Sequence, residues 1–421
     1  MNSRERLIKT INHQEPDCVV FDLGATSQTG IGASALYRLR QALDLPAQPV
    51  TIHEPAQLLG QVDDDLRQAL GIDVVGLWNP MNVLGVLNDS WKPWMLPDHT
   101  PALISGNMGF KSDECGTIFA YPQGDLSVAP SMKLPAGGYF FDNIDRGGEF
   151  DEDELNAKED FKNDFSVFDD ETARKLETES IRLYQETNYG VVGMCGGGGF
   201  GDVFTLPACW LKETPHGIRK MEDWLMAHLL YQDYILDLFD MQAGIALRNL
   251  EIYRQAVGDR IQVIWLSGTD FGTQNGTFIS AELYRKLYKP FHQRINDWVH
   301  KNTNWKTFYH TCGSIYPLLD DFAAAGIDIL NPVQCSAKDM DPIKLKQQYG
   351  DKFVFWGGGI NTQQTLPFGT PEEVRAEALE RLAIFAPGGG YIFNAIHNIV
   401  GNVPTENLLA WIDALRIYRG K

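Results

Sequence analysis

The sequence predicts a single (β/α)8 barrel, and three observations predict it. Eight short β-rich apolar runs recur along the chain, and longer stretches with helical periodicity separate the later ones. The runs lack a polar/apolar alternation, as strands do when helices cover both faces of a parallel sheet. At 421 residues the chain could hold two or three average domains, yet that length also suits one elaborated barrel.

The runs are CVVFDLG (18–24), IDVVGLW (72–78), YGVVGMC (189–195), IQVIWLSG (261–268), WKTFYH (305–310), IDILNPV (327–333), FVFWGGG (353–359) and YIFNAI (391–396). Ahead of them, MNSRERLIKTINHQEPD reads as an amphipathic helix with Ser3 as its cap. ISAELYRKLYKPFHQRINDWVHKN and TPEEVRAEALERLAIFA read as helices between strands. The second opens with Thr370 at the N-cap, Pro371 at N1 and Glu373 at the capping-box position. The spacing breaks once, over residues 79–168, which are rich in Gly, Pro, Asp and aromatics. That segment is expected to be a β-rich insertion after the second strand, lying over the barrel mouth within one 1–421 barrel. The acidic run EFDEDELNAKEDFKNDF is expected to be a solvated connection to the third strand.

Composition narrows the function. Hydrophobic residues make up 44% and charged residues 22%, the balance of an ordinary globular protein. A net charge of -19 argues against nucleic acid or an anionic membrane surface as partner, because both require clustered Lys and Arg. No apolar run approaches 18 residues, and the first segment lacks the apolar core of a signal peptide. Six irregularly spaced cysteines form no disulfide framework, so reduced thiols and a cytoplasmic location are expected.

In a barrel of this kind the active site forms where the strands end. Reading only those positions selects Asp22, Asp73, Asp270, His310, Cys312, Asn331, Gln334, Cys335, Asn394 and His397. His310 and Cys312, in FYHTCGSIYPLL, are either a packed turn or half of a metal site. Imidazole and thiolate both suit zinc, and three protein ligands would leave a fourth position open. The third ligand would be His397, with Cys335 as competitor. An open zinc position lowers the pKa of a bound thiol and so supplies a nucleophile. GGGGFG (196–201) formally matches a dinucleotide fingerprint, but DVFTLPACW after it reads poorly as a helix; a close backbone approach is the better reading. The glycines of FWGGG (355–359) likewise allow close approach of a ligand. Asp270 reads either as a capping residue or as an active-site carboxylate.

The chain resembles the uroporphyrinogen decarboxylase superfamily, through SRERLIKTINHQEPDCVVFDLG, ISAELYRKLYKPFHQRI, FYHTCGSIYPLLDDFAAAGIDILNPVQ, FVFWGGGINTQQTLPFGTPEEV and GGGYIFNAIHNIVGNVPTENL. The resemblance implies a (β/α)8 barrel. That superfamily also contains cobalamin-dependent methyltransferases of the methylcobalamin:coenzyme M type. The decarboxylases carry an arginine-rich segment after the first strand, where this chain has DLGATSQTGIG and no arginine before Arg38. Where they have a glycine-rich F-x-K-G segment, this chain has His310-Thr311-Cys312-Gly313, similar to the methyltransferases' zinc half-site. The methyltransferases keep a cysteine seven residues before the proline of P-x-E-N; here the proline is Pro404 and the residue is His397, as in the decarboxylases.

The resemblance therefore implies zinc on His310, Cys312 and His397, and cobalamin as methyl carrier on a partner protein. Asp270 and His397 are expected to act in catalysis, and Asp22, Tyr309, Gln334 and Asn394 to meet the substrate. The expected reaction moves a methyl group between the corrinoid and a small nucleophile, with a homodimer as an option. Two alternatives are a metal-free decarboxylase or lyase acting on a smaller substrate, and a barrel that binds a ligand without catalysis.

Overall fold

The structure is a computed structural model and describes residues 1–420. Eight parallel strands form its centre: β1 (Val20–Phe21), β2 (Val74–Leu77), β3 (Gly190–Met194), β4 (Val263–Ser267), β5 (Lys306–His310), β6 (Ile329–Asn331), β7 (Val354–Trp356) and β8 (Tyr391–Phe393). Every strand falls inside one of the eight apolar runs. They pair in the order β1-β8-β7-β6-β5-β4-β3-β2, and among the described residues the β1–β2 seam has no strand ladder.

Asp73 closes that seam. Its amide donates to the Phe21 carbonyl at 2.8 Å, and its carboxylate accepts from the Phe21 amide at 3.0 Å. The same carboxylate takes Arg6, Arg419 and the Ser3 hydroxyl. This corrects two expectations. Asp73 precedes its strand and so lies at the end opposite the active-site mouth. Ser3 is not the cap of the first helix, Ser3–Ile11; Asn2 is, in a reciprocal capping box with Glu5. Thr370, Pro371 and Glu373 do form the box that opens the helix Pro371–Phe385.

Side chains alternate between the inside of the barrel and the helix layer, as the two-residue period of a strand requires. Val20, Val74, Val192, Val263, Phe308, Ile329, Val354, Trp356 and Ile392 fill the inside as one buried cluster. Leu7 and Ile11 of the first helix join that cluster, which plugs the bottom. The predicted helix over 279–302 is two, Ala281–Leu287 and Lys289–Asn302, because Pro290 cannot continue a helical hydrogen-bond ladder.

Residues 79–168 carry six short strands. Phe110–Ser112, Ile118–Ala120, Met132–Leu134 and Asp142–Asn143 make an antiparallel sheet. Lys92–Met95 and Pro101–Ile104 join Val50–Glu54 and Leu59–Gly60, which lie before β2 and were not legible as strands. The acidic run is not wholly solvated, since Ala157 and Phe161 are buried and Asp164 pairs with Arg219 at 2.6 Å. Among the described residues no helix is long and apolar enough to cross a membrane.

Candidate metal centre at the barrel mouth

His310 ends β5, Cys312 begins the loop after it, and His397 stands on the loop after β8. One donor atom from each lies within 4.8 Å of the others. Cys312 Sγ is 3.2 Å from His310 Nε2, and the two imidazole rings meet edge to face with centroids 5.2 Å apart.

The loop geometry that brings them together is specific. Gly313 sits at φ +87°, where a Cβ would come within 2.3 Å of Gly272 backbone, so only glycine lets the loops after β4 and β5 cross. The Cys312 amide donates to Asp270 at 2.6 Å and the Gly313 amide to Gln334 at 2.7 Å. Thr311 accepts from the Phe271 amide. On the other side, Asn398 accepts from the Gly30 amide and donates to Ser27 and Gln57, which anchors the loop bearing His397.

Asn331 fixes the His310 tautomer. Its Nδ2 donates to the Trp356 carbonyl at 2.8 Å, so its Oδ1 is left to accept from His310 Nδ1 at 2.5 Å. The lone pair on Nε2 then faces Cys312 and His397. Burial lowers both imidazoles to about 4, which keeps them neutral and able to donate to a cation. Burial, reinforced by Asp270, pushes the Cys312 thiol well up. Burial also raises the Asp270 carboxyl, which lies 3.7 Å from His310 Nε2. Two neutral imidazoles and a thiol, one held by an outer hydrogen bond, fit a zinc-type ion in both chemistry and convergence.

Not every expected residue joins the site. Cys335 stands outside the trio, so the geometry offers His397 as the third candidate donor. Tyr309 is one strand position from His310 and therefore faces the helices, where its hydroxyl donates to Asn296. Asp22 accepts from Trp356 Nε1 and the Ala25 amide beneath the mouth, and burial raises its carboxyl to about 7. Asn394 donates to the Asp22 and Thr29 carbonyls. Asp22, Tyr309 and Asn394 hold the wall and do not line the cleft described below. Gln334 lies, with Cys312 and His397, on a smaller cleft of about 300 Å³.

The main cleft, about 700 Å³, opens over His310, His397 and Asp270. Its walls include Trp78, Phe140, Phe204 and Trp265, together with His53, Glu54 and Asp202. His53, Glu54 and Asp202 escaped the sequence reading. Asp202 had a signal, since it follows the glycines after β3. His53 and Glu54 had none, because they belong to the strand Val50–Glu54, outside the barrel pattern.

The glycines themselves serve packing. Gly197 and Gly201 abut Ala246 and Trp224, and the next helix starts only at Met221, so no helix N-terminus awaits a phosphate. Gly357 lets its loop pass the Pro332 carbonyl, which a Cβ would approach to 2.3 Å.

A cluster of metal-competent side chains at the C-terminal mouth of a (β/α)8 barrel defines the class: an enzyme barrel with its site in the βα loops. Residues 167–418 match the uroporphyrinogen decarboxylase (URO-D) family, and the chain belongs to that family. Uroporphyrinogen decarboxylase of Nitrosomonas europaea is 25% identical over 255 residues, 59% of this chain and 65% of that protein. That of Psychromonas ingrahamii is 36% identical over 76 residues, 18% of this chain and 21% of that protein. The chain thus spans less than two thirds of the length of these curated relatives. A methyltransferase from Methanosarcina mazei shares the fold over 99% of both chains, at 18% identity and a TM-score of 0.54.

Proposed function

We propose that this chain is a zinc-dependent methyltransferase within the uroporphyrinogen decarboxylase family. It would move a methyl group between a corrinoid, carried by a partner protein, and a small nucleophile. The observation that carries this reading is the convergence of His310, Cys312 and His397 with the His310 tautomer set by Asn331. The corrinoid rests on the likeness of His310-Thr311-Cys312-Gly313 to the methyltransferase half-site. The net charge of -19 supports a small-molecule substrate over nucleic acid.

Zinc bound here would supply a positive charge that lets an acceptor such as a thiol ionise at neutral pH. The chain does the rest. Asn331 keeps the proton on His310 Nδ1, so Nε2 stays a donor. Asp270 is the carboxylate placed to take the proton that the acceptor loses at an oxygen facing the trio. Trp78, Phe204 and Trp265 give the cleft apolar walls.

The relatives named decarboxylases favour a second reading, in which His397 and Asp270 move protons without metal. The cleft weighs against a polycarboxylate substrate, because its lining holds Glu54, Asp142, Asp202 and Asp270 and no lysine or arginine. Metal analysis of protein purified without chelator decides between them. About one zinc per chain, lost in His310→Ala and Cys312→Ala, is the expected result. Protein that neither holds nor takes up zinc, or turnover that survives complete metal removal, overturns the methyltransferase reading.

A further inference from the structure

The main cleft carries an imbalance of charge that the metal centre does not resolve. A divalent ion on the trio would be offset by the Cys312 thiolate and the adjacent Asp270. Glu54, Asp202 and the solvent-exposed Asp142 remain. Glu54 is 8% exposed, and its carboxylate accepts only from the Ala56 and Gln57 amides. Asp202 accepts from the Phe204 amide and the Thr205 side chain, and the charge acting on it is the like-charged Asp270. Burial raises both carboxyls to about 7, so each is poised to ionise once a cation arrives. A buried carboxylate such as Glu54 is as a rule paired with a cation, and among the described residues no cation pairs with Glu54 or with the half-buried Asp202.

Two further features point the same way. Trp78, Phe140, Phe204 and Trp265 line the same cleft as the carboxylates, and aromatic faces attract an organic cation through the ring quadrupole. His53 lies in the same lining with its ring 4.2 Å from Trp78, and both its nitrogens are buried without a hydrogen-bond partner. An unpartnered buried polar atom carries a desolvation cost that a hydrogen-bonding ligand removes. Burial lowers His53 to about 3, so it stays neutral and repels no cation.

We propose that this cleft binds a small organic cation of the quaternary-ammonium type, seated between the Trp78 and Phe204 side and the carboxylates of Glu54 and Asp202, with His53 hydrogen-bonding a polar group on its tail. The inference deepens the methyltransferase reading by naming its substrate class, and rests on that reading only for the reaction the ligand enters.

The test uses the full chain, zinc-loaded and metal-free, with three probes of one shape: choline, its neutral isostere 3,3-dimethylbutan-1-ol, and the anion 3,3-dimethylbutanoate. Calorimetry and quenching of tryptophan fluorescence report binding. Choline is expected to bind at least tenfold more tightly than the alcohol, and the anion not measurably. Asp202→Asn and Glu54→Gln, each checked by its melting curve, are expected to reduce that preference severalfold and leave the alcohol's affinity unchanged. Equal or tighter binding of the alcohol or the anion overturns the proposal, as does a choline preference that survives in both variants. Zinc content is read separately. A metal-binding chain that shows no cation preference sinks this proposal alone, whereas a cation-selective chain that takes up no zinc sinks the methyltransferase reading alone.

Discussion

His310 donates from Nδ1 to Asn331 Oδ1 at 2.5 Å, across the register that pairs β5 with β6. Because Asn331 Nδ2 is committed to the Trp356 carbonyl, the amide cannot flip without losing both bonds. The bond therefore decides which ring nitrogen is a lone pair. Asn331→Leu should leave the fold intact and weaken zinc binding by about 10- to 100-fold, the usual effect of losing an outer partner of a ligating histidine. Competition with a chelator of known affinity measures it; unchanged affinity would show that the tautomer is set elsewhere.

His397 is the third candidate donor beside His310 and Cys312, and Cys335 lies outside that group. His397→Ala should strip the bound zinc under mild chelation, whereas His397→Cys should retain it, since a thiolate serves the same tetrahedral site. Cys335→Ser should leave zinc content at the wild-type level. Elemental analysis of the three variants, purified side by side, separates the assignments. Zinc lost from Cys335→Ser and kept by His397→Ala would reverse them.

All eight barrel strands were legible in the sequence because burial on both faces leaves an unbroken apolar run. The trio was legible as three residues at strand ends, and its convergence followed from the barrel. Individual contacts were less so. Tyr309 was misplaced because alternation turns the neighbour of an inward histidine outward, and Phe308, on the far side of Tyr309, faces inward again. Asp22 does end β1, but the Trp356 indole covers it, and no one-dimensional pattern encodes which residue of a barrel layer lies uppermost. His53 was invisible for a different reason. Its strand pairs with Pro101–Ile104, a partner about fifty residues away with no periodic signature.

The ion pair between Asp164 and Arg219 is the strongest candidate for holding residues 150–220 in place. Both side chains are buried, the guanidinium is gripped at two nitrogens, and it stacks 3.8 Å from the Phe161 ring centre. Removing one partner leaves the other charge buried and unpaired. Asp164→Ala should therefore lower unfolding stability by about 3–5 kcal/mol in urea titration. A loss below about 1 kcal/mol would show that Arg219 finds water instead.

A pH-dependent contribution is expected at the opposite end of the barrel, where His300 Nε2 meets Asp328 at 2.7 Å. The hydrogen bond that His300 donates to Asp328 raises the imidazole above its ordinary 6.5. Burial opposes ionisation of Asp328, but His300 and the Thr307 amide prevail and hold its carboxyl below the ordinary 3.8. The histidine's share of stability is thus complete below about 6.5 and disappears as pH rises through its raised native pKa. The carboxylate's share is complete above about 3.8 and disappears as pH falls through its lowered native pKa. Both shares coexist between those limits. His300→Gln should consequently depress the melting temperature more at pH 6 than at pH 9, with the gap to wild type closing as the native histidine loses its proton. His300 is partly solvated, so added salt should narrow the pH 6 gap as well. A gap of the same size at both pH values would mean that His300 acts through packing alone.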